Sequence, residues 1–209
     1  MFLADVSSTF ASRGQNYDEW HQGRPHFGLW YLEIKDQVLI SYLEQLQKQC
    51  ADFLYFPNQR QWHITVLVCG FWDVPVEKQH LSNHFSSAHL QQQIAALQCN
   101  PPCPFQLKLG KLNSFYSALF VEVVDINHQL DTCRQQLQQY CPEFDAIQYY
   151  PHITLGLYRE EFPAQQVLQH IQSIATTPFT FSIEHLTFGY YHTHELQGAL
   201  TAACQMDLR

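Results

Sequence analysis

The spacing of apolar residues along the chain predicts alternating strands and helices. Runs of branched and aromatic residues predict the strands of the first half, at 27–34, 61–69, 105–112 and 118–124. Apolar residues at helical spacing predict a helix behind Asp36, which can cap it, and a second helix over 77–99. The second strand is expected to stop at Gly70, and a turn at Asn113-Ser114 separates the last two strands.

The second half of the chain repeats this pattern. Asn127 is expected to cap a helix, a strand follows over 148–158, and Pro163 opens a further helix. A strand at 179–183 continues over 186–191, and a final strand is expected over about 198–204. No linker or low-complexity segment divides the sequence. The order indicates an α+β chain that forms one domain over residues 1–209, with an internal repeat and an N-terminal extension at 1–26.

Composition narrows the partners that such a domain can have. With 209 residues, of which 46% are hydrophobic, the chain can form one sizeable core, whereas two independent domains would be cramped. Charged residues make up only 14%, and the net charge is −8. This acidic balance argues against a long basic groove for duplex DNA. It leaves room for a small phosphate ligand, which needs only a few well-placed donors.

The N-terminus and the cysteines both favour a reducing compartment. The first residues, MFLADVSSTFASRG, lack a basic start followed by an apolar run, so we predict no signal peptide and a cytoplasmic protein. No stretch approaches the eighteen or so apolar residues that span a bilayer, so we expect no membrane contact. The seven scattered cysteines are expected to be reduced thiols. Cys99 and Cys103 flank a turn, but a zinc site would need a second pair at similar spacing.

The internal repeat is most pronounced where two apolar strands each contain His-Ile-Thr. The two segments read WHITVL at 62–67 and PHITLG at 151–156. Residues two apart on a strand face the same side, so His63 shares a face with Thr65, and His152 shares one with Thr154. If the two strands pair around an approximate twofold axis, two imidazoles and two hydroxyls converge on one cleft.

These four groups suit phosphodiester chemistry. The reaction needs a base that deprotonates the attacking oxygen and an acid that protonates the departing oxygen on the other side of phosphorus. Two histidines can divide these roles near neutral pH, because the pKa of a free imidazole is about 6.5. The threonine hydroxyls can donate to the non-bridging phosphate oxygens as charge develops there. We therefore expect neither a metal nor another cofactor.

The His-x-Ser/Thr pattern alone carries little information. It occurs at five histidines, whereas composition predicts about one occurrence by chance; the five are His63, His80, His84, His152 and His185. His80 and His84 fall in the predicted helix over 77–99, where residues two apart do not face each other. His185 has no matching partner. An ordinary strand with one polar face would explain either His-Ile-Thr motif taken by itself. The occurrence of two such motifs in similar surroundings favours a functional site instead.

With these surroundings, the two motifs resemble the two-histidine phosphoesterase superfamily, which includes bacterial 2′-5′ RNA ligase-like proteins and cyclic phosphodiesterases. The family signature is a pair of His-x-Thr/Ser-x motifs in which x is apolar; here they read HITV at 63–66 and HITL at 152–155. Residues 105–121 resemble the strand pair between the family's motifs, and 181–188 resemble its closing strand. The similarity covers about 27–200, which is most of the chain.

The resemblance implies a bilobal, pseudo-twofold fold in which two antiparallel sheets form a central cleft and helices pack outside. It implies a metal-independent phosphodiesterase that acts on 2′,3′-cyclic phosphates or related RNA ends, or an enzyme that opens or closes 2′-5′ linkages. His63 and His152 carry over as the catalytic acid and base, in an order that the sequence leaves open. Thr65 and Thr154 carry over as phosphate-binding residues.

Four further residues are candidates for the substrate pocket. The period of two places Gln61 on the face of His63 and Tyr150 on the face of His152, where each can line the pocket or simply pack at the edge of the core. Tyr116, beside the turn, could reach the mouth of the cleft, and Arg24 in the N-terminal extension could bind phosphate. The alternative for Tyr116 is an ordinary surface position, and for Arg24 a surface salt bridge.

Three functions remain open from the sequence. The first is the phosphodiesterase or 2′-5′ ligase described above, with a small nucleotide or an RNA 3′-end as its partner. The second is a non-catalytic module on the same fold that binds a nucleotide or an RNA end. The third is a metalloprotein that uses some of the 12 histidines, but His192 and His194 are only two ligands. The sequence does not fix the oligomeric state, for which a monomer is the starting hypothesis.

Overall fold

The computed structural model describes residues 1–12, 15–144 and 148–209. Five helices and nine strands alternate along these residues. The helices are α1 (Asp18–His21), α2 (Gln37–Gln49), α3 (Ser87–Cys99), α4 (Gln129–Gln138) and α5 (Ala164–Ser173). The strands are β1 (His26–Glu33), β2 (His63–Trp72), β3 (His84–Phe85), β4 (Phe105–Ser114), β5 (Ala118–Val124), β6 (His152–Leu157), β7 (Thr180–Ile183), β8 (His185–His192) and β9 (Thr201–Asp207). Short 3₁₀ turns lie at Leu3–Asp5 and Val76–Lys78.

The strands form two matched lobes. One lobe has the order β7-β4-β5-β6 and the other has the order β2-β1-β8-β9, and all neighbours within each lobe are antiparallel. The two-residue β3 pairs in parallel with the end of β2. The lobes meet where β2 and β6 share a single residue pair, Ile64 with Ile153. This confirms the predicted bilobal α+β fold, in which the two expected sheets are halves of one curved sheet.

One face of this sheet is buried beneath the helices. Most apolar positions predicted for the helices after Asp36 and after Pro163 are buried, among them Leu39, Leu43 and Leu46 of α2 and Val167 and Ile171 of α5. Val38, which was expected on the same face of α2, is exposed. Ile64 and Ile153 are also fully buried in this core. The alternation of side chains along a strand therefore turns the residues on either side of each isoleucine to the opposite face of the sheet. Within the described ranges, no helix is long and apolar enough to cross a membrane.

Local backbone geometry changes two of the predicted boundaries. The second strand does not stop at Gly70, because this glycine adopts φ +113° and β2 continues to Trp72. Added there, a Cβ atom would lie 2.5 Å from the carbonyl oxygen of Asn83, a clash that only glycine avoids at this point. The helix predicted over 77–99 begins at Ser87, because the Ser86 hydroxyl caps it by accepting from the amide of His89.

Helix caps and strand ends account for most of the remaining differences. The strand predicted at 179–183 does not continue over 186–191, because β7 pairs with β4 in one lobe and β8 pairs with β1 in the other. The cap at Asp36 is confirmed, since its carboxylate accepts from the amides of Val38 and Leu39. At α4, however, the predicted cap Asn127 is replaced by Asp125, whose carboxylate oxygens accept from the first two helical amides. The strand predicted over 148–158 is shorter, at 152–157, and residues 145–147 lie outside the described ranges. The last strand covers 201–207 instead of 198–204.

A buried glutamine joins three elements in the core of the lobe that contains β1 and β2. The side-chain oxygen of Gln93 accepts from the Trp30 indole N–H at 2.7 Å, and its amide nitrogen donates to the carbonyl of Leu137 at 3.0 Å. Gln93 and Trp30 are both fully buried. The side chain therefore links β1, α3 and α4 by satisfying two polar groups that water cannot reach.

We expect Gln93→Leu to lower the free energy of unfolding by about 1–3 kcal/mol, because it leaves the Trp30 indole and the Leu137 carbonyl unpaired. Gln92→Leu, on the exposed side of the same helix, is the matched control and should stay within about 0.5 kcal/mol of the wild type. Urea unfolding followed by circular dichroism measures both. Equal effects from the two substitutions would show that the buried bonds contribute no stability.

Candidate active site

The pair Ile64–Ile153 fixes the arrangement of both motifs. Both side chains are fully buried, so the residues that flank them face the cleft. In an antiparallel pair, the residue before one partner lies opposite the residue after the other. His63 therefore lies across from Thr154, and Thr65 lies across from His152. Each histidine faces the threonine of the other motif.

The two imidazoles occupy diagonal corners of this four-residue site. Residues in this diagonal relation on neighbouring strands have their backbone positions about 7–8 Å apart. The space between them lies above the isoleucine pair and is flanked by both hydroxyls. A phosphate group placed there would have an imidazole on each of two sides and a hydroxyl donor next to each imidazole.

Both histidines are oriented by the same hydrogen bond. Nδ1 of His63 lies 2.7 Å from the carbonyl oxygen of Gln61, and Nδ1 of His152 lies 2.7 Å from that of Tyr150. A carbonyl oxygen can only accept, so Nδ1 carries the proton in each ring. The lone pair of each neutral imidazole is therefore on Nε2. The repeat of this bond, two residues before each histidine, supports the pseudo-twofold relation of the motifs.

Both imidazoles favour the neutral form in the absence of a ligand. Burial lowers the pKa of His63 to about 4; the Gln61 carbonyl opposes this shift, while the positive charges of Arg60 and of protonated His152 add to it. Burial also lowers the pKa of His152, and the Tyr150 carbonyl opposes that shift. Each ring is thus ready to accept a proton at pH 7. A bound phosphate would raise both pKa values, because a nearby negative charge stabilises imidazolium.

The strands next to the motifs repeat a second pattern. On β1, Tyr31 lies across from Thr65 and Glu33 lies across from His63. On β5, Phe120 lies across from Thr154 and Glu122 lies across from His152. The ring centroids of Tyr31 and His63 are 5.8 Å apart, and those of Phe120 and His152 are 5.1 Å apart. Sequence reasoning missed these residues, although aromatic-x-Glu on two equivalent strands was a usable signal.

Two cavities border the motif residues. The larger, about 630 Å³, includes Thr65 and His152, and its other walls are mainly aromatic: Phe2, Trp20, Phe27, Phe115, Phe144, Tyr149 and Tyr150. The smaller, about 150 Å³, includes His63, Thr65 and Thr154. Thr65 belongs to both, so the two cavities adjoin at the centre of the site. Together they form the cleft expected between the lobes.

Comparison with known proteins agrees with this geometry. The family model of the 2′-5′ RNA ligase superfamily matches residues 36–195, which include both motifs. The chain belongs to this superfamily. No curated protein sequence matches the chain. The membership agrees with the resemblance to two-histidine phosphoesterases.

Several solved structures share the fold of this superfamily member at low sequence identity. E. coli LigT complexed with ATP is 15% identical, with a TM-score of 0.52 over 89% of this chain and 99% of LigT. LigT complexed with 3′-AMP is 13% identical, with a TM-score of 0.56 over 88% and 98%. A protein from Thermus thermophilus is 16% identical, with a TM-score of 0.54 over 88% of this chain and 98% of its own. At these identities the similarity establishes the fold.

The structure places two of the four further pocket candidates beside the motifs. Gln61 borders the smaller cavity, but its side-chain amide is bonded to the backbone N–H and carbonyl of Leu200, at 2.8 and 3.0 Å. Tyr150 lines the larger cavity, with its ring centroid 5.0 Å from that of Phe2. Burial raises the pKa of Tyr150 to about 12, so its hydroxyl keeps its proton.

The structure contradicts the other two placements. Arg24 is only 3% exposed, and its guanidinium donates to the backbone carbonyls of His21, Ser82 and Trp20, so it has a structural role instead of the expected surface or phosphate-binding role. Tyr116 is 39% exposed and packs against Phe10. Neither Arg24 nor Tyr116 borders either of the two motif cavities. The extension and the turn instead contribute Phe2, Trp20 and Phe115 to the walls of the larger cavity.

Sequence reasoning also missed Arg60, which borders the smaller cavity beside His63. Its Nε donates to the carbonyl of Gly198 at 3.0 Å, and its guanidinium carbon lies 4.0 Å from the centroid of the Tyr191 ring. Arg60 lies in the irregular segment before β2 and is held by residues near 200. No periodic pattern marks it, and its place three residues before the first motif was the only signal.

The histidines suggested as metal ligands do not form a common site. His192 packs beside His26, whereas His194 lies beside His21, near Asp18. Nδ1 of His21 accepts from the amide of Gly23 at 2.9 Å, so in the neutral ring its proton is on Nε2, which lies 3.1 Å from the Asp18 carboxylate. In this arrangement His21 has no free lone pair for a metal ion.

We expect both motif histidines to titrate below 6.5 in the free protein, with His63 near 4, because burial disfavours their charged forms. NMR titration of the imidazole carbon-bound protons measures this, with His63→Gln and His152→Gln used to assign the signals. Added inorganic phosphate should move both midpoints upward. Midpoints at or above 6.5 in phosphate-free buffer would contradict the prediction.

Proposed function

We propose that this protein is a metal-independent phosphodiesterase that hydrolyses 2′,3′-cyclic phosphates or related RNA-end phosphodiesters. The observation that carries the proposal is the paired arrangement of two neutral imidazoles. Each has Nδ1 held by a carbonyl, which leaves the lone pair on Nε2, and the isoleucine pair relates the two by an approximate twofold axis. Acid–base catalysis at phosphorus needs two such groups on opposite sides of one phosphate.

The reaction can be written with these residues alone. One histidine accepts a proton at Nε2 from a water molecule, whose oxygen forms a new bond to phosphorus. The other histidine, protonated once the phosphate is bound, donates its Nε2 proton to the departing ribose oxygen as the phosphorus–oxygen bond breaks. The product is a ribose monophosphate with one free hydroxyl. Proton exchange with water then restores both rings.

Thr65 and Thr154 supply the donors for the phosphate itself. Each hydroxyl lies across from a histidine, on the cleft side of the sheet. As negative charge develops on the non-bridging oxygens, a fixed hydroxyl donor stabilises it without reorganisation of solvent. The same face thus provides proton transfer at two corners and charge stabilisation at the other two.

The larger cavity supports a nucleotide as the substrate. It adjoins His152 and has aromatic walls on which a nucleobase can stack. A volume of about 630 Å³ lies within the usual range of small-molecule sites. The net charge of −8 suits a small nucleotide or a single-stranded 3′-end better than a duplex. The related fold of LigT has been observed complexed with ATP, NADP+ and 3′-AMP, which agrees with a nucleotide-sized ligand.

We expect the wild-type protein to hydrolyse 2′,3′-cyclic mononucleotides in the presence of EDTA. His63→Ala and His152→Ala should each lower kcat by roughly 100-fold or more, because each removes a proton-transfer group. His185→Ala is the matched control: this histidine also precedes an x-Thr pair on a strand, but it contacts Asp207 on β9 and should keep wild-type activity. Chromatographic separation of the 2′- and 3′-monophosphate products measures the rates and shows which bond breaks.

The other outcomes identify the alternative functions. Full activity in either motif variant would reject the assignment of these histidines. Tight nucleotide binding without turnover would indicate a binding module. Joining of a cyclic-phosphate end to a 5′-hydroxyl end would show that the same groups work in the direction of ligation.

We expect Thr65→Val and Thr154→Val each to lower kcat by roughly 100-fold, because each removes one hydrogen-bond donor to the transition state. Thr65→Ser and Thr154→Ser keep the hydroxyl and should recover most of the rate, which separates the role of the donor from that of the methyl group. Steady-state kinetics with one cyclic nucleotide gives kcat and KM for all four variants. Valine variants with unchanged kcat would show that the hydroxyls do not contact the reacting phosphate.

A further inference from the structure

A third cavity adjoins the smaller motif cavity and shares Trp20 with the large aromatic cavity. Its volume is about 640 Å³, and it lies between the segment that contains α1 and the residues that follow β8. Arg60, Leu157 and Gln197 border both this cavity and the smaller motif pocket. The cleft therefore continues past His63 into a space large enough for a further nucleoside.

Arg60 stands at the junction as a half-buried cation. Among the described residues it forms no ion pair, whereas Arg134 pairs with Glu143 and Arg159 pairs with Glu160. Its one bond to the backbone uses Nε, and stacking on Tyr191 fixes the plane of the guanidinium. A cation that is partly removed from water and held rigid gains most from an anionic ligand such as a phosphate.

The third cavity combines Arg60 with aromatic rings and hydrogen-bond acceptors. Its walls include the rings of Tyr17 and Trp20, the hydroxyl of Thr193, and the carboxylates of Asp18 and Glu195. Carboxylates repel a phosphate, but they accept hydrogen bonds from ribose hydroxyls and base amino groups. The cavity thus combines a cation at the border of the smaller motif cavity with aromatic surface and hydrogen-bond acceptors. A nucleoside attached to a phosphate presents the complementary set of groups.

We propose that Arg60 binds the phosphate that precedes the reacting one, and that the third cavity holds the nucleoside before it. The preferred substrate is then a single-stranded RNA end with at least two nucleotides, and not a cyclic mononucleotide. The terminal base occupies the large aromatic cavity, and the chain continues past His63. This inference rests on the proposed phosphodiesterase function and specifies its substrate class.

The test compares two substrates that differ only in the preceding nucleotide: adenosine 2′,3′-cyclic phosphate and the dinucleotide ApA with the same cyclic end. We expect the wild type to have the higher kcat/KM on the dinucleotide. Arg60→Gln should lower kcat/KM on the dinucleotide about tenfold or more beyond any change on the mononucleotide, because a charged hydrogen bond is lost. Arg60→Lys keeps the charge without the planar fork, so it should recover part of the difference.

Arg159→Gln is the matched control. It also removes one arginine charge, but Arg159 is paired with Glu160 at the surface and borders none of the three cavities. It should leave the ratio of the two kcat/KM values unchanged. The salt dependence adds a second readout. Arg60→Gln should reduce the magnitude of the slope of log affinity against log salt concentration by about 0.7 for the dinucleotide, and leave the slope for the mononucleotide unchanged, as expected for one lost phosphate contact on a single strand.

Three results would overturn the inference. The first is a wild type without preference for the dinucleotide. The second is an equal loss of kcat/KM on both substrates. Arg60 would then either bind the reacting phosphate or stabilise the fold, and thermal unfolding distinguishes these two roles. The third is no loss on either substrate.

Failure of the proposed function is separate and recognisable, because the wild type would then turn over neither substrate. In that case calorimetric binding of ApA 3′-phosphate and of 3′-AMP still tests Arg60. Arg60→Gln must weaken binding of the first more than of the second, and an equal effect on both would reject the inference.

Discussion

The single backbone pair between Ile64 and Ile153 is the constraint on which the site depends. It is the only residue pair that β2 and β6 share within the described ranges, and each of these strands is firmly held by its own lobe on the other side. Because both isoleucines are buried, the register cannot shift by one residue without turning the motif side chains into the core. The hydrophobic burial of two side chains thus sets which four groups meet in the cleft.

The opening of the cleft leaves backbone groups of β2 without a strand partner, and side chains replace that partner. The Tyr149 hydroxyl donates to the carbonyl of Thr65 at 2.9 Å, and Arg134 donates to the carbonyl of Val66. Arg134 is held by Glu143 at 2.6 Å and by stacking on the Tyr149 ring at 3.6 Å. A buried backbone acceptor without a partner destabilises the fold. This network therefore allows the lobes to diverge directly beside the two His-Ile-Thr motifs.

The parts of the site that lie on regular strands were predictable, and those held by loops were not. The period of two and the internal repeat were enough to place His63, Thr65, His152 and Thr154 on one face, because both motifs sit in strands with an apolar alternate face. Arg24 and Arg60 show the limit. Both are arginines in irregular segments, and distant backbone carbonyls, near 82 and 198, determine where each guanidinium goes. Likewise, the start of α3 depends on a local serine cap and not on apolar spacing.

The four motif residues follow the pseudo-twofold symmetry of the fold, whereas their surroundings do not. Each histidine has the same carbonyl partner two residues earlier and an aromatic ring on the neighbouring strand. On the side of His152, Phe2 and Trp20 from the segment before β1 close a large aromatic cavity. On the side of His63, Arg60 borders a small pocket, and its positive charge helps to disfavour protonation of that ring. Two nearly equivalent imidazoles therefore face unequal surfaces. In the proposed reaction, a substrate with one base and one phosphate chain would fit such surfaces in only one direction, so the residues outside the repeat would determine which histidine meets the departing oxygen.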